Sequence, residues 1–246
     1  MNLNSIAQII EGSNNIVFFG GAGMSTESGI ADFRSENGLY RTASGYEYPP
    51  EKMLSHSFFR AHTEDFYKYY KEKMLFPNAL PNDGHKALAY LEDIGRLQAV
   101  ITQNIDGLHQ LAGSKKVFEL HGSIHRNYCT KCHAFYKLEY IINCDKVPYC
   151  SECNGLIKPD VVLYEEQLDD SIVSGAIRAI QQAEILIIGG TSLAVYPTAG
   201  LLNYFRGNKT ILINKSQTPY DSRADLVLHD SVGKVLGAAA GITNNE

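Results

Sequence analysis

The 246-residue sequence has no tryptophan, no long hydrophobic run and no block of like charge. Each lack removes a class of answer. No apolar stretch approaches the roughly 18 residues that a membrane span needs, so a transmembrane protein is not expected. The opening MNLNSIAQIIEGS lacks a positively charged start and a long apolar centre, so it does not read as a secretory signal. Lys and Arg number 22 against 27 Asp and Glu, for a net charge of −5, and no basic run offers a nucleic-acid footprint. Repeats and low-complexity tracts are also missing. The expectation is a soluble cytoplasmic protein, free of membrane and nucleic acid, with its five cysteines kept reduced.

What is present supports a core. Hydrophobic residues make up 44% of the chain, and 15 Tyr and 10 Phe supply the aromatic bulk. The length fits one large domain, or one domain with a smaller insertion. Leu3, Ile6, Ile9 and Ile10 fall at helical spacing and predict an amphipathic first helix. NIVFF then reads as a strand buried on both faces, as do LQAVI (97–101), VFEL (117–120), ILIIG (185–189), TILI (210–213) and LVL (226–228). Helical patterns separate several of them, which implies a mostly parallel sheet covered by helices on both faces. Residues 36–78 and 125–154 break this pattern and are expected to form a smaller second module.

The first strand runs into GGAGMST, with glycines at 20, 21 and 23. Glycines after a strand let the backbone approach a phosphate. The dehydrogenase fingerprint fails here, because Thr26 stands where its third glycine belongs, and no Lys-Ser or Lys-Thr completes a P-loop. Ser25 and Thr26 could cap a helix whose start binds a pyrophosphate, with Arg34 nearby. The alternative is a tight turn with no ligand.

CTKC (129–132) and CSEC (150–153) lie 17 residues apart, the spacing of a four-cysteine zinc site. Four thiolates leave no open position, so Cys129, Cys132, Cys150 and Cys153 predict one structural Zn²⁺. Two disulfides would need an oxidising compartment. Cys144 is left over, and His133 is a competing ligand that the complete set makes unnecessary.

Polar residues follow several strands. VITQNIDGLHQ ends in Gln103, Asn104 and Asp106, placed to meet a ribose or a carboxamide outside the strand ends, although Asn104 could equally cap a helix. His121 and Gly122 leave the end of VFEL, and of eight histidines His121 is the one set for general-base work. GGTSLAVYP (189–197) and Asn214 close two further strands, so four strand ends converge on one elongated ligand.

Taken together, GAGMS (21–25), GIADFR (29–34), NGLY (37–40), TQNID (102–106), HG (121–122), the four cysteines, GTSL (190–193) and IN (213–214) resemble the sirtuin family, most closely the bacterial type. The resemblance covers nearly the whole chain. It implies a Rossmann-type doubly wound parallel sheet (1–35, 79–124 and 155–246) with a small zinc-binding and helical second domain (36–78 and 125–154). It implies an enzyme that consumes NAD and an acylated lysine, releasing lysine, nicotinamide and 2′-O-acyl-ADP-ribose. By that resemblance Gly21, Ala22 and Gly23, with Ser25, Thr26 and Arg34, would hold the pyrophosphate, and Phe33 would shield the ribose. Gln103 and Asn104 would hold the nicotinamide ribose, Ile105 and Asp106 the carboxamide. Thr191, Ser192 and Asn214 would take the phosphate and adenosine side, with Val232 near the adenine and His121 as base. An acyl-lysine peptide would lie as a strand against Val161, Tyr164 and Glu165. A mono-ADP-ribosyltransferase, or a non-catalytic NAD- or peptide-sensing module, is the competing expectation, and a monomer is the expected assembly.

The chain departs from the family pattern at three places. Ala31 replaces the usual Pro and Gly20 the usual Thr, both expected to loosen the cofactor loop. Glu165 stands where the family usually has Gly, a position that can need positive φ. Crowding of the peptide, or a preference for basic flanking residues, is expected from its carboxylate, so Glu165→Gly should raise activity. Family members that prefer succinyl or malonyl groups carry Tyr and, three residues on, Arg. Here Tyr67 would touch the acyl group, and Tyr70 in place of Arg predicts neutral acyl groups.

Overall fold

The computed structural model describes residues 3–33, 38–42, 46–194 and 197–242. Among these, nine strands follow in chain order: β1 (Ile16–Gly20), β2 (Leu97–Thr102), β3 (Val117–Glu119), β4 (Gly122–Cys129), β5 (Phe135–Lys137), β6 (Ile157–Val161), β7 (Ile185–Gly189), β8 (Lys209–Ile213) and β9 (Leu226–Leu228). Six of them form one sheet in the order β3-β2-β1-β7-β8-β9, and every pairing in it is parallel. All five residues of β1 and of β7 are buried, as strands covered on both faces require. The strand order reverses between β1 and β7, and in such sheets ligands bind at that reversal, beyond the carboxyl ends.

Alternation along each strand feeds two cores. Phe18, Val100, Ile187 and Ile211 face one side with Ile6, Leu88 and Leu236 of the helices Leu3–Glu11, Asp83–Asp93 and Val232–Ala239. Val17, Phe19, Ile101, Ile188 and Leu212 face the other, with Ala176 and Ile180 of the helix Asp170–Gln182. Asn82 opens the helix Asp83–Asp93 by accepting from Gly84 N (3.0 Å), while His85 Nδ1 accepts from Asn82 N (3.3 Å). Such reciprocal caps satisfy donors that a helix start leaves free. The His85 ring then meets His109 edge to face at 4.7 Å.

A second, antiparallel sheet runs β5-β4-β6. Ile124, Ile157, Val161 and Leu163 share one core with Met53, Phe58, Phe66, Tyr67 and Tyr70 from the helices Pro50–Met53, His56–Ala61 and Thr63–Lys73. The two stretches without strand-and-helix alternation therefore pack together. The small sheet also takes in residues 122–124 and 157–161, beyond the bounds expected for it, because Gly122 pairs with Val161 directly after His121.

Candidate active site

The carboxyl ends of β1, β2, β7 and β8 open onto a cleft of about 1350 Å³. The glycine turn does not start a regular helix, as expected for a pyrophosphate site, but makes two short 3-10 turns, Ala22–Met24 and Thr26–Ser28. The cause is close backbone packing against the turn after β7. Gly21 N donates to Gly189 O (3.2 Å) and Gly23 N to Gly190 O (2.8 Å), and a Cβ on Gly23 would lie 2.8 Å from Gly190 Cα. Gly20 is the last residue of β1, where a Cβ would stand 2.4 Å from the Phe18 ring, so its glycine makes room for that ring rather than loosening the loop. Ser25 and Thr26 do not cap a helix. Ser25 Oγ donates to Asp106 Oδ2 (2.6 Å) and accepts from Asn104 Nδ2 (3.0 Å), while Thr26 Oγ1 donates to Gly23 O (3.0 Å).

These bonds tie the glycine turn to the TQNID segment. Asn104 thereby lines the cleft and caps no helix. Asp106 instead accepts from Leu108 N (2.9 Å) at the start of the helix Leu108–Leu111. Burial raises the Asp106 carboxyl above its ordinary range, and the Ser25 and Leu108 hydrogen bonds pull it back. Gln103 donates to Thr198 Oγ1 (3.0 Å) and accepts from Thr191 Oγ1 (3.4 Å), joining the ends of β2 and β7.

His121 lines the same cleft with Gln103, Asn104, Ile105 and Asp106. Its Nδ1 lies 2.9 Å from Gln103 O. A carbonyl only accepts, so Nδ1 carries the proton and Nε2 is the basic nitrogen. Burial lowers the His121 pKa below the usual 6.5, against the opposing pull of the Gln103 carbonyl. The imidazole is therefore neutral at pH 7.

Ala22, Gly23, Ser25, Thr26 and Phe33 line the cleft, as do Thr191, Ser192, Asn214 and Val232 on the side of β7 and β8. Gly21 lies just behind this surface, against Thr191 and Gln103. Arg34 lies outside the described residues, as do Val195 and Tyr196 of the GTSLAVYP segment. Lys215, Asp230 and Ser231 also line the β8 side, and sequence reasoning missed them because nothing in their spacing marks them.

Val161, Tyr164 and Glu165 form another part of the rim, but Tyr67 does not reach the cleft. It is 1% exposed, and its hydroxyl donates to Ile157 O. The helical turn that carries both tyrosines brings Tyr70 to the cleft instead, with Lys73 and Met74. Glu165 has φ 76°, the left-handed backbone expected of a glycine position. Both of its carboxylate oxygens accept from Ser57, so they are turned to the helix His56–Ala61 rather than crowding the cleft.

The Sγ atoms of Cys129, Cys132, Cys150 and Cys153 all lie within 4.8 Å of one another, and none of these cysteines is in a disulfide. Lys131 N and Cys132 N donate to Cys129 Sγ (3.3 and 3.4 Å). The Tyr136 hydroxyl donates to Cys150 Sγ (3.1 Å) and brings that thiol down to about 6. Four converging thiols with amide and hydroxyl support fit a structural zinc ion. Cys144 and His133 stand outside the set.

The family model described as Sir2 family matches residues 21–197, from the glycine turn through the cleft to the end of GTSLAVYP. The chain belongs to the Sir2 family. It is 62% identical over 235 residues to an NAD-dependent protein deacetylase of Clostridium acetobutylicum, covering 95% of this chain and 96% of that protein. A protein of the same name from Clostridium perfringens is 61% identical over 236 residues, covering 96% and 97%. Among solved structures, a Sir2 protein with a p53 peptide and NAD⁺ superposes with a TM-score of 0.84 at 38% identity, over 99% of this chain and 100% of that one. Among the described residues, no helix is long and apolar enough to cross a membrane.

Proposed function

We infer that the chain is an NAD-dependent protein-lysine deacetylase, which converts acyl-lysine and NAD to lysine, nicotinamide and 2′-O-acyl-ADP-ribose. The observation that carries this is His121, a half-buried neutral imidazole with its basic nitrogen released by the Gln103 carbonyl. It shares one cleft with the glycine turn and the TQNID amides in a Sir2-family chain. The relatives' names, and the peptide and NAD⁺ held by a similar structure, support the same reaction.

NAD supplies the electrophilic ribose carbon that the acyl oxygen attacks as nicotinamide leaves. The glycine turn around Ala22, with Ser25, Thr26 and Arg34, receives the pyrophosphate. The Gly21, Gly23, Met24 and Ser25 amides are engaged within the turns, whereas Ala22 N has no partner among the described residues, which supports that role. Gln103 and Asn104 hold the nicotinamide ribose, while Ile105 and Asp106 hold the carboxamide. Thr191, Ser192 and Asn214 orient the adenosine side, with Val232 beneath it. Phe33 excludes water, and His121 Nε2 takes a proton from a ribose hydroxyl. Neutral acyl groups are preferred over succinyl. Leu54, Met74 and Leu163 line the cleft with Tyr70, and the Lys73 ammonium there already pairs with Glu72 at 2.9 Å. The same reading takes the chain as a cytoplasmic monomer acting on proteins rather than nucleic acid.

The test is mass spectrometry of the products formed from NAD and an acetyl-lysine peptide. Wild type should release nicotinamide and O-acetyl-ADP-ribose only when peptide is present. His121→Ala should lower that rate by about 10²–10⁴. ADP-ribose attached to protein, with the peptide still acetylated, would overturn the reading.

A further inference from the structure

Glu165 holds a backbone conformation, φ 76°, that glycine adopts freely and glutamate does not. Such a position persists only where its surroundings fix it. Here the fixing group is Ser57, whose amide donates to Glu165 Oε2 (2.8 Å) and whose hydroxyl donates to Oε1 (2.9 Å). The neighbouring bonds run the same way. Tyr164 N donates to Leu54 O and His56 N to Tyr164 O, both at 3.0 Å. His56 Nδ1 lies 2.7 Å from Glu166 Oε1, and Glu166 Oε2 accepts from Leu163 N (2.9 Å) and Lys158 Nζ (3.0 Å). The rim segment 163–166 is therefore sewn to residues 54–57, and the Glu165 carboxylate makes two of the stitches.

We propose that Glu165 is a positioning residue that latches the peptide-receiving rim of the cleft onto the helix His56–Ala61 through Ser57. The rim is held in its receiving form before the acyl-lysine peptide arrives, so less ordering remains to be done on binding. The proposal rests on the deacetylase reading for the identity of that peptide. It replaces the expectation that the glutamate crowds the groove, since Ser57 holds both carboxylate oxygens.

The experiment compares wild type with Ser57→Ala, Glu165→Ala, Glu165→Gln and Glu165→Gly. Steady-state kinetics with NAD and an acetyl-lysine peptide are paired with amide hydrogen exchange on the ligand-free proteins. Glu165→Ala and Glu165→Gly, which lose both bonds, should raise the peptide KM about three- to tenfold, with kcat and the NAD KM within about twofold of wild type; Ser57→Ala, which keeps the amide bond to Oε2, should raise it less. Glu165→Gln keeps an oxygen for the Ser57 amide and should restore most of the peptide KM. The Tyr164 amide, protected by Leu54 O, should exchange faster in Glu165→Ala and Glu165→Gly. A peptide KM and exchange rate unchanged across the series would overturn the latch, as would a lower peptide KM in Glu165→Gly. A matching fall of kcat in every variant would also overturn it, because that marks general damage. If wild type turns over no acetyl-peptide, the deacetylase reading fails by itself, and the exchange series still decides the latch.

Discussion

Replacing His109 by Leu should flatten the acid side of the protein's stability profile. Both ring nitrogens of His109 and Nε2 of His85 are buried without a hydrogen-bond partner. Burial, with a smaller push from His85, holds His109 well below the ordinary 6.5. Burial alone brings His85 down to about 4. The folded protein then binds fewer protons than the unfolded chain at any pH between these values and 6.5. Depressed folded values fix the sign: the stability is whole above 6.5 and is lost as pH falls. One such histidine costs about 1.4 kcal/mol at pH 5.5, one unit below its unfolded value, and the pair costs about 3 kcal/mol. Between pH 7.5 and 5.5, His109→Leu should therefore lose about 1.4 kcal/mol less than wild type. Leu is near His in size, and any packing cost is the same at both pH values, so the difference isolates the proton. Urea unfolding followed by circular dichroism at the two pH values measures it. Parallel losses in the two proteins would refute the reasoning, since they would mean that His109 is solvated or partnered in the fold.

Gly122→Ala should be destabilising by about 3 kcal/mol or more, because φ is 75° there and a Cβ would lie 1.9 Å from Asp160 O. A thermal midpoint equal to wild type would contradict that. The kcat profile should stay flat on lowering pH through 6.5 and fall only below it, since burial lowers His121; an acid limb centred above 6.5 would count against His121 as the base. Tyr136→Phe removes the hydroxyl that donates to Cys150 Sγ and should weaken zinc binding by about 10–100-fold in chelator competition. Equal competition curves would show that this hydrogen bond does not tune the site.

Much of the fold could be read because its strands are buried on both faces and so appear as unbroken apolar runs. IVFFG and ILIIG are the clearest, and they flank the strand-order reversal. The antiparallel sheet was harder. Strands such as β5, with exposed Phe135 and Lys137 about an intermediate Tyr136, carry little apolar signal, because zinc-site cysteines and tyrosines hold that region. At the site, the motifs marked which strand ends converge, but not how they bond. Ser25 joins Asn104 and Asp106 across about 80 residues of chain, as does Ser57 with Glu165 across 108, and no spacing rule reports such pairs. Tyr67 misled for a related reason. Residues three apart on a helix share a face only roughly: both rings lie in the core, and of the two only Tyr70 also lines the cleft.

The cysteine cluster and His121 are joined by a single strand. β4 begins at Gly122, the residue after His121, and ends at Cys129; its partner β6 starts four residues beyond Cys153 and finishes opposite Gly122. An oxidant that bridges two of these thiols and frees the metal would pull on both strands at once. Its effect would then arrive at His121, a residue with no redox chemistry of its own.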